Sequence, residues 1–156
     1  MLVIQRYTAL ARKRVMSETY KRLWTLADYD QLGWHDCRIY SIGFVDERFR
    51  LAIDIDYIFE TRTEPDPERG FLVAPATVEF LDVSNLAIRI DSDDIIGATI
   101  LDLSLSRSGV SPNGKVEMFR ADISMDIGTV SFTTSGFEMS LKSDAVWLPT
   151  SDIGRD

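Results

Sequence analysis

A single histidine, His35, and a single cysteine, Cys37, in 156 residues remove most of the usual site chemistry from consideration. One cysteine excludes an internal disulfide, and no Cys-x-x-Cys pair is present to grip zinc or to run thiol exchange. No glycine-rich loop cradles a phosphate. The apolar runs are only a few residues long, far short of the roughly 20 that cross a bilayer, so no membrane span is expected. A secretory core is missing as well, because Met1-Leu2-Val3-Ile4 is interrupted by Gln5-Arg6. Positive charge is also scarce, with 17 Lys and Arg against 25 Asp and Glu, for a net charge of −8. A reducing, cytoplasmic setting is the expectation.

What basic charge there is gathers at the start. Residues 1–24 hold Arg6, Arg12, Lys13, Arg14, Lys21 and Arg22 against Glu18 alone, a net of +5, which leaves −13 for the rest of the chain. A body this acidic repels phosphate backbones, so a nucleic acid is not an expected partner, whereas a basic protein surface is attracted and its encounter speeded. Met16-Ser17-Glu18 reads like a natural start, which sets residues 1–16 apart as a basic extension. A single β-rich domain is expected over 17–147, with a C-terminal tail over 148–156. A chain of this length is long enough to bury roughly two-thirds of its unfolded surface in one core.

Ser17 is a good N-cap, and Tyr20, Leu23, Trp24 and Ala27 follow at helical spacing, which predicts one N-terminal helix over about 17–29. From Arg38 onward the period changes to two. Phe49, Leu51, Ile53, Ile55, Tyr57 and Phe59 alternate with a mainly polar row, as do Leu72, Ala74, Ala76, Val78 and Phe80. Pro75 inside the second row argues for an edge position or a bulge, and an edge strand there leaves an edge free for a homodimer. Leu101, Leu103 and Leu105 form another row, and further strands are expected over 116–125, 128–134 and 137–147. Thr61 to Gly70, twice interrupted by proline, reads as a surface loop. The class is therefore mainly β (α+β), an antiparallel meander forming a curved sheet or sandwich of about seven to eight strands, with one helix packed against it.

Trp34-His35-Asp36, at the mouth of the first strand, is the nearest approach to a chemical signature. A histidine beside a carboxylate serves as a general base, a metal ligand or a pH sensor. Adjacent residues on an extended chain point to opposite faces, however, so Asp36 is poorly placed to orient the His35 ring. The plainer expectation is that Trp34 anchors the core, His35 bonds a backbone carbonyl and Asp36 caps the turn. A catalytic use of His35 and Asp36, or a divalent metal held by His35, Asp54 and Asp56, is the alternative. Alternating carboxylates on a strand more commonly keep a solvent face wet. Asp91, Asp93 and Asp94 lack the spacing of a calcium loop. A serine nucleophile would have to borrow His35 with no assigned third member. No catalytic set is complete, no cofactor is indicated, and the balance is against an enzyme.

The segments Trp34-His35-Asp36, Ile39-x-x-Ile42-x-Phe44, Leu51-x-Ile53-Asp54-Ile55-Asp56-Tyr57-Ile58 and Phe71-x-Val73-Ala74-Pro75-Ala76-Thr77-x-x-Phe80 resemble a group of small uncharacterised bacterial proteins. These open on a Trp-His-Asp element and continue with a β-rich body. The resemblance covers about residues 32–140 and implies a fold but no activity. In type, the chain is also similar to the small acidic immunity proteins of bacterial toxin systems. The −13 body and the lack of a complete catalytic set point to a non-catalytic protein-binding module with a basic partner, for which that similarity suggests the immunity type; Trp34, His35 and Asp36 are its candidate binding residues. The similarity transfers no residue role.

Overall fold

The computed structural model describes residues 21–45, 49–63, 70–93 and 97–155. Ten strands are present among them: β1 (Leu23–Thr25), β2 (Arg38–Val45), β3 (Arg50–Arg62), β4 (Gly70–Leu81), β5 (Ser84–Ile90), β6 (Ala98–Val110), β7 (Glu117–Met125), β8 (Gly128–Thr134), β9 (Gly136–Leu141) and β10 (Val146–Leu148). The protein is mainly β, one open antiparallel sheet in the order β1-β9-β4-β3-β2-β6-β7-β8-β5, with β10 beside β4. The consecutive hairpins β2-β3-β4 and β6-β7-β8 make a meander of each half. The meander fails at β5 and β9, which cross to lie beside β8 and β4.

The sheet folds over on itself. Rings of Phe80 on β4 and Phe132 on β8, far apart in strand order, stand 4.8 Å apart at 71°. Leu51, Ile53, Ile55, Val78 and Phe80 from one half thus share a buried core with Ala121, Ile123, Val130 and Phe132 from the other. The two crossings are stapled together: the buried Thr134 hydroxyl donates to the Leu81 carbonyl at 2.6 Å, and the Ser135 amide donates to the same oxygen at 3.0 Å. A buried hydroxyl is tolerated there because it is bonded.

Several expectations need correcting. The described part of the 17–29 helix is not α-helical, since Leu23–Thr25 pairs with β9 and Leu26–Gln31 is a short 3-10 helix. Apolar residues at helical spacing yield here to the open backbone edge of β9, a case of tertiary pairing overriding local propensity. Residues 17–20, the basic extension 1–16, residues 64–69 of the loop and Asp94 lie outside the described residues. The count of seven to eight strands misses the short β1 and β10, and the run over 137–147 divides between β9 and β10. The tail over 148–156 begins within β10, and residues 152–155 bond back to β2 and β3.

Pro75 is not on an edge. It lies inside β4, paired with Asp56 of β3 on one side. On the other side it faces the gap between β10, which pairs Phe71–Val73, and β9, which pairs Ala76–Leu81. Its carbonyl accepts from the Lys142 amide at 2.8 Å on that side, so the missing N–H costs one bond just where the β9 ladder ends at Ala76–Leu141. The free edge that it was to offer a homodimer is therefore absent. Two rows also change. Phe49 has a left-handed backbone (φ 52°) ahead of β3 and is exposed, and a bulge between Ile100 and Asp102 turns Leu101 outward while Ile100 and Leu103 both face the core.

Gly128 begins β8 where a Cβ would stand 1.9 Å from the Arg89 carbonyl oxygen of β5. Gly128→Ala is expected to push β5 aside and cost about 1–2 kcal/mol, read as a lowered urea midpoint. An unchanged midpoint would remove the close approach from the account.

Candidate functional site

Trp34 to Cys37 form a turn tied to β6 rather than an extended entry. The Asp36 amide donates to the Ile100 carbonyl at 2.8 Å, and the Ile100 amide donates to the Cys37 carbonyl at 2.9 Å. Asp36 takes a left-handed conformation (φ 67°), which aspartate tolerates better than most side chains. Trp34 is 4% exposed and packs edge-on against Tyr57 at 5.6 Å and Phe137 at 5.8 Å. It belongs to the core, so of the three candidate binding residues only His35 and Asp36 reach the surface.

The turn corrects one geometric expectation. Because Asp36 is not extended, its Oδ1 comes within 3.3 Å of His35 Nε2, and the two adjacent side chains do meet. His35 Nδ1 lies 2.9 Å from the Leu101 carbonyl oxygen, which can only accept, so this nitrogen carries the hydrogen. The bulge that turns Leu101 outward places that residue beside the ring. With side chains 69% and 59% exposed, the His35–Asp36 pair adds little stability. The partners of His35 are a carbonyl and a carboxylate, neither of which is a nucleophile to activate. Cys37, next in sequence, is fully buried, and burial pushes its thiol up to about 12, away from the reactive thiolate.

Asp54 and Asp56 are engaged elsewhere. They project from β3 on the face away from the core, as the alternation requires, yet Asp56 is completely buried. That overturns the expectation of a solvated face. Residues 152–155 lie across it: Asp56 Oδ2 accepts from the Ile153 amide at 2.6 Å and the Gly154 amide at 3.3 Å, and Oδ1 accepts from Arg155 Nη1 at 2.8 Å. Tyr40 donates its hydroxyl to Asp56 at 2.5 Å. A register shift between Ile39 and Ser41 makes Tyr40 the extra residue of a bulge, which aims its ring at this position. Asp54 takes Arg155 Nη2 at 3.1 Å and Lys142 Nζ at 2.8 Å.

Burial alone would raise both carboxyls. Hydrogen bonds from Arg155 and Lys142 at Asp54, and from Tyr40, Arg155 and the Ile153 amide at Asp56, outweigh that and hold both below the ordinary carboxylate value. Burial, reinforced by the bond to Asp56, pushes the Tyr40 hydroxyl up to about 12.

The alternative metal set of His35, Asp54 and Asp56 is not assembled. The histidine is held at Leu101 while both carboxylates are held by the chain's own cations and amides, and among the described residues no three His, Cys, Asp or Glu side chains converge to hold a metal ion. Sequence reasoning missed Tyr40, Lys142 and Arg155. Arg155 is 99 residues from Asp56, and no local pattern marks so distant a partner.

Carboxylates do collect around the first residues of β6. Asp126 Oδ1 accepts the Thr99 amide at 2.8 Å, the Asp91 amide bonds the Ile127 carbonyl, and Asp36 bonds Ile100. Exposed Asp102, Ile90 and Leu101 stand on the same strand ends. An open cleft of about 270 Å³ cuts into this end, lined by Asp36, Arg38, Thr99, Ser151 and Asp152. No helix among the described residues is long and apolar enough to cross a membrane. No protein-family model, no curated protein and no solved structure matches the chain.

Proposed function

We propose that the protein is a non-catalytic cytoplasmic binding module of immunity type, which engages a basic protein partner through the acidic end around β6. The carrying observation is that Asp36, Asp102 and Asp126 stand about the start of β6 and Asp91 at the same end of the sheet beyond β8, where Ile90 and Leu101 are exposed. Carboxylates steer a basic surface toward this end, and interspersed apolar side chains supply contact area once it arrives. His35 and Asp36 lie within this surface, while Trp34 supports it from below.

The test uses the full chain as bait. A captured protein should be basic, bind the purified chain directly, and lose affinity steeply as salt rises. A chain whose captured partners are all acidic or neutral, bound without dependence on salt, would contradict the reading.

A further inference from the structure

We propose that Tyr40, Asp54 and Asp56 form an arginine-recognition cradle, occupied here by the chain's own Arg155 and open to an arginine-bearing segment of another protein when residues 151–155 lift away. The choice of a protein ligand rests on the binding-module reading above; the cradle itself rests on geometry.

The site is shaped for a guanidinium. Arg155 Nε and Nη2 reach the two Asp54 oxygens at 3.4 and 3.1 Å, Nη1 reaches Asp56 at 2.8 Å, and Nη2 also donates to the Ile55 carbonyl at 3.1 Å. The guanidinium carbon sits 4.0 Å from the centre of the Tyr40 ring. A planar fork shared between two carboxylates and laid on an aromatic face distinguishes arginine from lysine, whose ammonium is a single hydrated point of charge.

The occupying segment is held by polar contacts. Beyond β10, its attachments include Arg38 to Asp152 at 2.7 Å, the Ile153 amide to Asp56, the Gly154 amide to the Tyr40 hydroxyl oxygen at 2.9 Å and to Asp56, and Arg155 itself. Its one large apolar side chain, Ile153, is only partly covered, with 41% of the residue exposed. Segments with few buried apolar contacts open at low free energy. The segment also leaves a donor unused: Arg38 Nε is buried without a hydrogen-bond partner among the described residues. The described residues therefore satisfy less than this surface offers, and a bound segment supplying an acceptor there would complete it.

The test uses the full-length Arg155→Ala variant and a fluorescein-labelled peptide, Ser-Asp-Ile-Gly-Arg-Asp, beside a twin carrying lysine for arginine. The variant should bind the arginine peptide at least tenfold more tightly than the lysine twin, and at least tenfold more tightly than the unaltered chain does. Equal binding of the two peptides, or no binding, would overturn the cradle. Should the variant not fold, hydrogen exchange on the unaltered chain decides: excess arginine peptide should speed exchange at the Ile153 and Gly154 amides, and unchanged exchange rejects the proposal. A failed peptide leaves the acidic end and its basic partner untouched, whereas a chain that binds the peptide but no basic protein fails the broader reading alone.

Discussion

Trp34→Ala is expected to cost about 3–5 kcal/mol of folding stability, whereas Trp34→Phe should cost far less. The indole fills the space between Tyr57 and Phe137 and is almost completely buried. Alanine leaves a cavity bounded by two rings that cannot collapse together, because β3 holds one and β9 the other. Phenylalanine restores an aromatic edge contact and removes a liability, since the Trp34 indole N–H is buried without a hydrogen-bond partner among the described residues. Urea denaturation of the three chains separates the cases. Equal costs for alanine and phenylalanine would mean that the indole nitrogen, and not the ring volume, matters at this position.

Asp56→Ala should cost about 2–3 kcal/mol at neutral pH, the scale of hydrogen bonds to a charged group. The loss is limited by the ability of residues 151–155 to move away once their anchor is gone. It should also alter the acid side of the stability profile. The folded carboxyl lies below the ordinary value of 3.8 because donated bonds outweigh burial. Its stabilisation is therefore fully present above that value and is lost as pH falls through the lower folded one. Between pH 7 and pH 3 the unaltered chain should lose more stability than Asp56→Ala does. Parallel profiles would show that Asp56 is not held by these partners.

Much of the fold is legible in the residues because a half-buried strand writes its period directly. Leu51, Ile53, Ile55 and Tyr57 on β3, and Leu72, Ala74, Ala76, Val78 and Phe80 on β4, alternate as core residues must, and they are buried. Trp34 as an anchor and His35 on a backbone carbonyl follow from their position at the sheet entry. What the pattern conceals depends on partners distant in sequence. Leu101 looks identical to Leu103 until a bulge separates them, and Trp24 looks helical until the β9 edge is available. Asp54 and Asp56 do face away from the core, but only the folded chain brings Arg155 over them. A positional rule is silent about such a cover. The contact between His35 and Asp36 is concealed for a related reason: one left-handed residue replaces the extended geometry that keeps adjacent side chains apart.

Binding through the acidic end around β6 is measured by the affinity of the captured basic protein for a chain carrying Asp36→Asn, Asp91→Asn and Asp126→Asn. Asparagine tolerates the left-handed backbone at residue 36 and still accepts the Thr99 amide at residue 126, so the variant removes charge and keeps structure. At least a tenfold rise in Kd at low salt is expected, with a shallower dependence on salt concentration. An unchanged Kd with an unchanged salt slope would contradict binding through this end.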